Sequence, residues 1–297
     1  MKLPRSPFAT ACLMLALASR LPVSAGLEID VGGRVLAPGE PVRVWADSDV
    51  PLDHLSGTFL ERVIQFTADP RDPARHRWVG WTLVDLDAMA GAQVIEVRGT
   101  TTDGDTVIGT HALTIESREF PEERLSVSSK YVEPPADVRD RLDRERGKLR
   151  ALYLKRDAPI AEGPFVRPVP GEPTSIFGLR RFFNDAPRSP HPGLDLRAAE
   201  GTGVIASGDA RVVLAQDLYY SGNTVILDHG GGLFTLYAHL SKLQVKEDDA
   251  VEAGQRVGLS GSTGRVTGPH LHWGAKIGDV PFDPTALLDP SLFARPD

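Results

Sequence analysis

Five of the eight histidines fall between positions 191 and 272, among residue types that bind metal ions and move protons. His191-Pro-Gly-Leu-Asp195 offers an imidazole and a carboxylate four positions apart. Pro192 and Gly193 disfavour a helix, so the pair differs from the one-face helical arrangement of a His-Glu-x-x-His site. A turn running into a strand would instead let both groups converge on one ion. Alone, this spacing is common by chance. His270-Leu271-His272 is more specific, because alternate residues of a strand share a face: both imidazoles project together and Leu271 enters the opposite side. His239 ends a run in which Thr235, Tyr237 and His239 share one face, with Phe234, Leu236 and Ala238 on the other. His229, beside Gly230-Gly231-Gly232, reads as structural, and His54, His76 and His111 have no carboxylate or histidine at ligand spacing.

A catalytic zinc site needs three protein ligands and an open position for water. Two histidines and an aspartate meet that need: the ion keeps a net positive charge and lowers the pKa of its water. Two further imidazoles nearby can take the proton or stabilise an oxyanion. Competing chemistries have no motif in the chain. There is no Gly-x-Ser-x-Gly, and Gly261-Ser-Thr-Gly264 lacks the Lys-Ser/Thr of a phosphate cradle.

The elements that must position these residues are mainly strands. Residues 164–290 are rich in Gly, Val and Thr in short alternating runs, the pattern of an antiparallel β domain. Thr224–Asp228 and Leu233–His239 flank the glycine triplet as a hairpin. From Leu27 to Ser117, β-rich runs at Pro41–Ala46, Leu60–Thr67, Arg77–Leu83, Gln93–Thr100 and Thr106–Ile115 are separated by turn signals such as Asp103-Gly104-Asp105. Val94, Glu96 and Arg98 alternate with Ile95, Val97 and Gly99, as in a half-buried strand. Such spacing predicts a small immunoglobulin-like β-sandwich. Between Glu119 and Ala161 the pattern changes: Asp137 is placed to cap a helix running to about Lys155, with Val138, Leu142, Leu149, Leu152 and Tyr153 on one stripe. Its charged remainder reads as a solvated face, with a spacer or a lid over the neighbouring domain as the alternative.

Lys2 and Arg5, the apolar run Ala9–Ala18 and Val23-Ser24-Ala25 form a secretory signal peptide pattern over residues 1–25. The run is too short to span a bilayer. Removing 25 of 297 residues leaves 272 without cysteine, enough for about two hydrophobic cores. The leader carries three basic residues and no acidic ones, so Lys+Arg falls from 33 to 30 against 40 Asp+Glu, a net charge of −10. That charge excludes a nucleic-acid partner. No later segment approaches eighteen consecutive apolar residues, so no integral membrane segment is expected after the leader.

Residues 175–285 resemble the lysostaphin/LytM peptidase domain. The likeness is carried by Ser175-Ile-Phe-Gly-Leu-Arg180, His191-Pro-Gly-Leu-Asp195, Val225–Gly230, Tyr237-Ala-His-Leu240, Gly258-Leu-Ser-Gly-Ser-Thr-Gly264 and Val266-Thr-Gly-Pro-His-Leu-His272. The resemblance implies a groove-bearing antiparallel β domain with one Zn2+. Residue by residue, it implies His191, Asp195 and His272 as zinc ligands, His270 as general base and His239 as its partner, leaving open which of the two imidazoles is the principal base. Some members of this family have lost zinc ligands and act only as regulators; here every such position is filled. The N-terminal half is similar to exported members with a β-sandwich and a charged helix before the peptidase, including Phe120-Pro-Glu-Glu-Arg-Leu-Ser126 and Tyr131-Val-Glu-Pro-Pro135.

The expected organisation is therefore all-β in the main: signal peptide 1–25, β-sandwich 26–117, helical linker 118–162 and zinc metallopeptidase domain 163–297. The expected function is a periplasmic or secreted zinc metalloendopeptidase acting on peptidoglycan peptides, with Arg180 and Asn184 lining the groove. The rival readings are a noncatalytic wall-binding or amidase-activating module and a secreted protease on protein substrates. Any regulatory protein partner is left unassigned.

Overall fold

The computed structural model describes residues 26–125, 135–155, 162–163, 165–183 and 185–295. The expected signal peptide at 1–25 lies outside the described residues, as do Asn184, Ser126 and residues 131–134.

Alternating apolar residues build the N-terminal half from β1 (Leu27–Gly32), β2 (Pro41–Ser48), β3 (Leu52–Phe59), β4 (Arg62–Ala68), β5 (Arg77–Leu83), β6 (Gly91–Thr101) and β7 (Thr106–Ile115). Their hydrogen-bonded order, β1-β2-β5-β4-β3-β6-β7, divides into layers β1-β2-β5-β4 and β3-β6-β7, the strand order of a constant-type immunoglobulin domain. β4 joins the layers, pairing with β3 through Arg62–Gln65 and with β5 through Phe66–Ala68. The edge strands also approach each other: a side chain at Gly109 of β7 would come within 2.7 Å of the Leu27 carbonyl of β1. The sandwich is thus nearly a closed barrel. Val42, Val44, Leu52, Leu55, Ile64, Ile95 and Val97 fill it from both layers, each contributing roughly 1.5–3 kcal/mol by leaving water.

Two details differ from the sequence pattern. Leu60 and Glu61, which read as the start of a strand, form a two-residue turn with φ of 47° and 62°. Both angles are positive, as a type I′ hairpin requires, but neither residue is the Asn or Gly that announces such a turn. The preceding β3 also escaped the pattern, because Asp53, His54, Ser56 and Gly57 mask the buried Leu52, Leu55 and Phe59.

The C-terminal half follows β8 (Glu122–Leu125) and α1 (Arg139–Tyr153). Its strands are β9 (Pro173–Ser175), β10 (Arg180–Phe183), β11 (Ala186–Pro187), β12 (Gly193–Leu196), β13 (Gly203–Ile205), β14 (Ala210–Leu218), β15 (Gly222–Asp228), β16 (Leu233–Leu243), β17 (Ala250–Val251), β18 (Arg256–Ser260), β19 (Leu271–Ile277) and β20 (Val280–Phe282). Ten of them form one sheet with the main path β17-β14-β15-β16-β19-β12-β9. β15 and β16 pair as the expected hairpin around Gly230–Gly232. One face of the sheet, including Leu194, Leu196, Tyr237, Leu271 and Trp273, packs on Phe165, Phe282 and Leu287. On the other face, Leu214, Leu218, Ile226 and Phe234 receive Leu152 and Tyr153 of α1.

The expected helix is present, but Asp137 does not cap it. Asp137 lies in a 3-10 turn, Ala136–Val138, and Val138 stands at the N-cap without a side-chain hydrogen bond. The polar side of α1 is not merely solvated either: Arg141 pairs with Asp217 at 2.8 Å, Lys148 with Glu247 at 2.8 Å, and Glu145 accepts the Tyr219 N–H.

Further contacts tie the two halves together. Glu40, 1% exposed, accepts hydrogen bonds from Arg34 at 2.8 Å and Arg118 at 2.6 Å, and both guanidinium groups also reach Asp283. Trp81 of the sandwich is part of the C-terminal core. Among the described residues, no helix is long and apolar enough to cross a membrane.

Candidate metal centre

His272 and Asp195 are brought together by ladder register. β12 and β19 are antiparallel, with Asp195 opposite His272 and Leu194 opposite Trp273. Strand alternation sends Leu194, Leu196, Leu271 and Trp273 into the core and leaves Asp195 and His272 side by side on the other face. Their Oδ1 and Nδ1 atoms are 2.8 Å apart. Gly193 makes room for this packing: a Cβ there would lie 2.6 Å from the Trp273 carbonyl and 2.8 Å from the His272 ring.

His191 enters from the turn before β12. Its Nδ1–H donates to the Ile176 carbonyl at 2.9 Å, which leaves the Nε2 lone pair facing inward. Nε2 lies 3.2 Å from Asp195 Oδ1 and 3.1 Å from His272 Nδ1. The ring itself is buried, 3% exposed. These three atoms crowd around one point with the spacing of a group able to hold a metal ion. Burial opposes the Asp195 charge, yet the facing His191 and His272 imidazoles hold its carboxyl well below the usual range. His272 is pushed down, chiefly by burial, with Asp195 acting against the shift. An ionised Asp195 and a neutral His272 ring are protonation states that metal binding needs.

His239 reaches the same place by a route that strict alternation does not allow. Thr235 and Tyr237 do share the core face, their hydroxyl groups 3.0 Å apart. The register then slips: Tyr237 opposes Val225, but Leu240 opposes Asn223, so β16 carries one extra residue. His239 sits in that bulge at φ 63°, and its N–H is held by the Ser221 carbonyl at 2.8 Å. An inserted residue reverses the phase of a strand. His239 therefore leaves the Thr235–Tyr237 face and stands beside His270 and His272, with ring centroids 4.9 and 6.1 Å away. Leu240 takes the core position instead.

Backbone carbonyls fix the tautomers of the two outer imidazoles. His239 donates Nδ1–H to Thr263 O at 2.9 Å, and His270 donates Nδ1–H to Gly268 O at 2.9 Å. His270 directs Nε2 toward the cluster, 3.7 Å from Asp195 Oδ1. Burial pushes His239 down to about 4, with the other imidazoles adding to the shift and the Thr263 carbonyl and Asp195 opposing it. The Gly261–Gly264 loop serves this arrangement. Thr263 Oγ1 accepts the Asn223 N–H at 2.9 Å and donates to Leu240 O at 2.8 Å. Gly222 packs so closely that a Cβ there would lie 2.3 Å from Thr263 Oγ1.

All five candidate residues thus meet in one place, whereas the proposed groove residue Arg180 does not join them. Arg180 pairs with Asp87 of the sandwich at 3.3 Å. Its neighbour Arg181 points to the site instead, donating to Ser175 Oγ at 3.0 Å and lying 3.9 Å from Asp195 Oδ2. Which of two adjacent arginines faces inward depends on the register of β10, for which the sequence has no marker. His229 is structural as expected: it is buried, bonded to Asp209 O and Thr235 Oγ1, and packed edge-on against Phe165.

Residues 189–284 match the model of Peptidase family M23. This segment, which carries the whole metal cluster, is similar to that family. Peptidoglycan DD-endopeptidase ShyA of Vibrio cholerae is 52% identical over 101 residues, covering 34% of this chain and 24% of that protein. DD-carboxypeptidase/endopeptidase Mpg of Neisseria meningitidis serogroup B is 42% identical over 101 residues, 34% of this chain and 23% of its own. The chain thus spans about a quarter of the length of these curated relatives. A crystal structure of a peptidase M23 candidate from Pseudomonas aeruginosa is similar over 85% of this chain and 95% of its own, with TM-score 0.62 and 26% identity. That likeness extends beyond the peptidase domain.

Proposed function

We propose that this chain is a zinc-dependent metalloendopeptidase that hydrolyses peptide bonds in bacterial peptidoglycan, with the stem-peptide cross-link as its substrate. The convergence of His191 Nε2, His272 Nδ1 and Asp195 Oδ1 within 3.2 Å of one another carries this reading. Support for the substrate comes from the relatives named as peptidoglycan DD-endopeptidase and DD-carboxypeptidase/endopeptidase. His191, Asp195 and His272 would hold the ion, and two imidazole nitrogens with one carboxylate oxygen are a donor set that suits zinc. When bound, zinc supplies Lewis acidity, polarising a carbonyl and making water acidic near neutral pH.

The remaining chemistry belongs to side chains. His270, with Nδ1–H committed to Gly268, has its Nε2 lone pair free to take a proton from the attacking water and return it to the leaving amine. His239 is neutral at pH 7 with Nδ1–H committed to Thr263, so its Nε2 is also an acceptor. That state suits orienting the water or sharing its proton; steadying an oxyanion would require the protonated ring. Arg181 and Ser175 hold the outer side of Asp195 and the approach to His191.

Under this reading residues 163–297 are the catalytic domain, 26–117 a β-sandwich and 118–162 the linker. The substrate lies outside the cytoplasmic membrane, so the protein acts in the periplasm or after secretion. Incubation with purified sacculi, followed by mass spectrometry of muropeptides, tests the proposal. Loss of cross-linked dimers with gain of monomers is expected; digestion of casein with intact sacculi would show a protease of another substrate class.

A further inference from the structure

Arg43 of β2 is a buried cation without an ion pair among the described residues. It is 8% exposed, and its Nε–H has no acceptor. Trp45, Trp81 and Phe293 surround the guanidinium, with ring centroids 5.3, 5.2 and 5.6 Å from its central carbon. Cation–π contacts of this kind stabilise the charge. They do not satisfy N–H groups that point along the guanidinium plane. Burial lowers the Arg43 pKa, with Glu162 and Asp69 acting against the shift and Arg71 adding to it; arginine remains charged under such pressure.

Beside Arg43 lies a cavity of about 230 Å³, where the sandwich meets Glu162 and the C-terminal Phe293 and Arg295. Most other charges lining it are already matched. Arg71 pairs with Asp69 and Glu162, and Arg295 with Asp47 and Asp30. Of the four guanidinium groups that line it, Arg71 and Arg295 are paired with carboxylates, while Arg43 and Arg77 have no ion pair among the described residues. Trp45 and Trp78 supply flat apolar walls.

We propose that this cavity binds a small organic carboxylate, anchored by Arg43. A planar guanidinium with free N–H groups matches a carboxylate in geometry, and Arg77 at the rim adds a second guanidinium without an ion pair. A phosphate dianion would meet stronger repulsion than a monoanion from the neighbouring carboxylates of Asp47, Asp69 and Glu162. The rest of the ligand, the size of an acylated amino acid, lies against Trp45 and Trp78. The site is separate from the metal centre and does not depend on the peptidase reading.

The four tryptophans provide the test, because Trp45, Trp78 and Trp81 surround Arg43 or its cavity while Trp273 lies in the C-terminal core. Indole N–H signals of the full chain, assigned by single Trp→Phe substitutions, are followed while N-acetylalanine, its neutral amide or inorganic phosphate is added. The expected result is saturable movement of the Trp45 and Trp78 signals with the acid, no response to the amide and an unmoved Trp273 signal. Arg43→Met should weaken binding by about tenfold or more, and Arg77→Gln, at the exposed rim, by a few-fold. Equal response to acid and amide, tighter binding of phosphate, or movement of Trp273 alone would overturn the proposal. If Arg43→Met fails to fold, the acid–amide comparison and Arg77→Gln decide the matter, and no change in either does so against it.

Discussion

Asp195 and His272 occupy directly opposed positions on β12 and β19, and their Oδ1 and Nδ1 atoms are 2.8 Å apart. Because a ladder position rather than a loop sets this contact, the pair is formed when the sheet forms. Asp195→Ala should leave the sheet intact, since both core neighbours, Leu194 and Leu196, stay in place. It should weaken metal binding by more than about 100-fold and abolish turnover with it. Elemental analysis of purified protein checks this, and a full complement of metal in Asp195→Ala would remove Asp195 from the ligand set.

His239 has a different predicted signature. It lies beside the three-atom cluster rather than in it, so His239→Ala should retain metal while turnover falls by about 10²–10⁴-fold. Metal content and sacculus digestion measured on one preparation separate the two effects. Wild-type turnover in this variant would exclude a proton-handling role for His239.

The site residues were more legible than their arrangement. His270-Leu271-His272 revealed its geometry because period 2 holds there: Leu271 is fully buried and both imidazoles face the cluster. His239 was found by type and misplaced by period, because a bulge depends on pairing with β15 and leaves no mark in the run Leu236–Leu240. Arg181 was missed for a related reason, its inward direction being set by pairing between β10 and β8. The β-sandwich was legible as a set of strands. Its turn at Leu60–Glu61 was not, because the pairing of Phe59 with Arg62 leaves a two-residue loop that needs left-handed backbone at residues that do not favour it.

A pH dependence of stability follows from His229. Burial pushes this ring down to about 4 from an ordinary value of 6.5, with hydrogen bonding and charge from Asp209 acting in the other direction. Above pH 6.5 the ring is neutral in both folded and unfolded chains. As pH falls from there to about 4, only the unfolded chain takes the proton, so stability is lost across that window. The loss amounts to something on the order of 3 kcal/mol. His229→Gln, which can keep one hydrogen bond, should flatten the difference between urea midpoints at pH 7 and pH 4.5. An unchanged difference would mean that His229 does not titrate as its burial implies.

The linker helix should act as a structural element rather than a removable cover. Leu152 is 5% exposed and packs with Tyr153 on Phe234 and Ile226. Leu152→Ala should cost about 2–5 kcal/mol of stability in denaturant unfolding, with turnover per folded molecule unchanged. A lid predicts the opposite pattern, higher turnover when its packing is loosened.

In the proposed mechanism, His191, Asp195 and His272 hold a zinc ion on which peptidoglycan cleavage depends. Titrating metal-stripped protein with zinc while following release of peptides from purified sacculi tests it most directly. No release is expected without metal, followed by a linear rise on addition and a plateau at a single equivalent of zinc. Undiminished release from metal-free protein, or a full equivalent of bound zinc with intact sacculi, would contradict it.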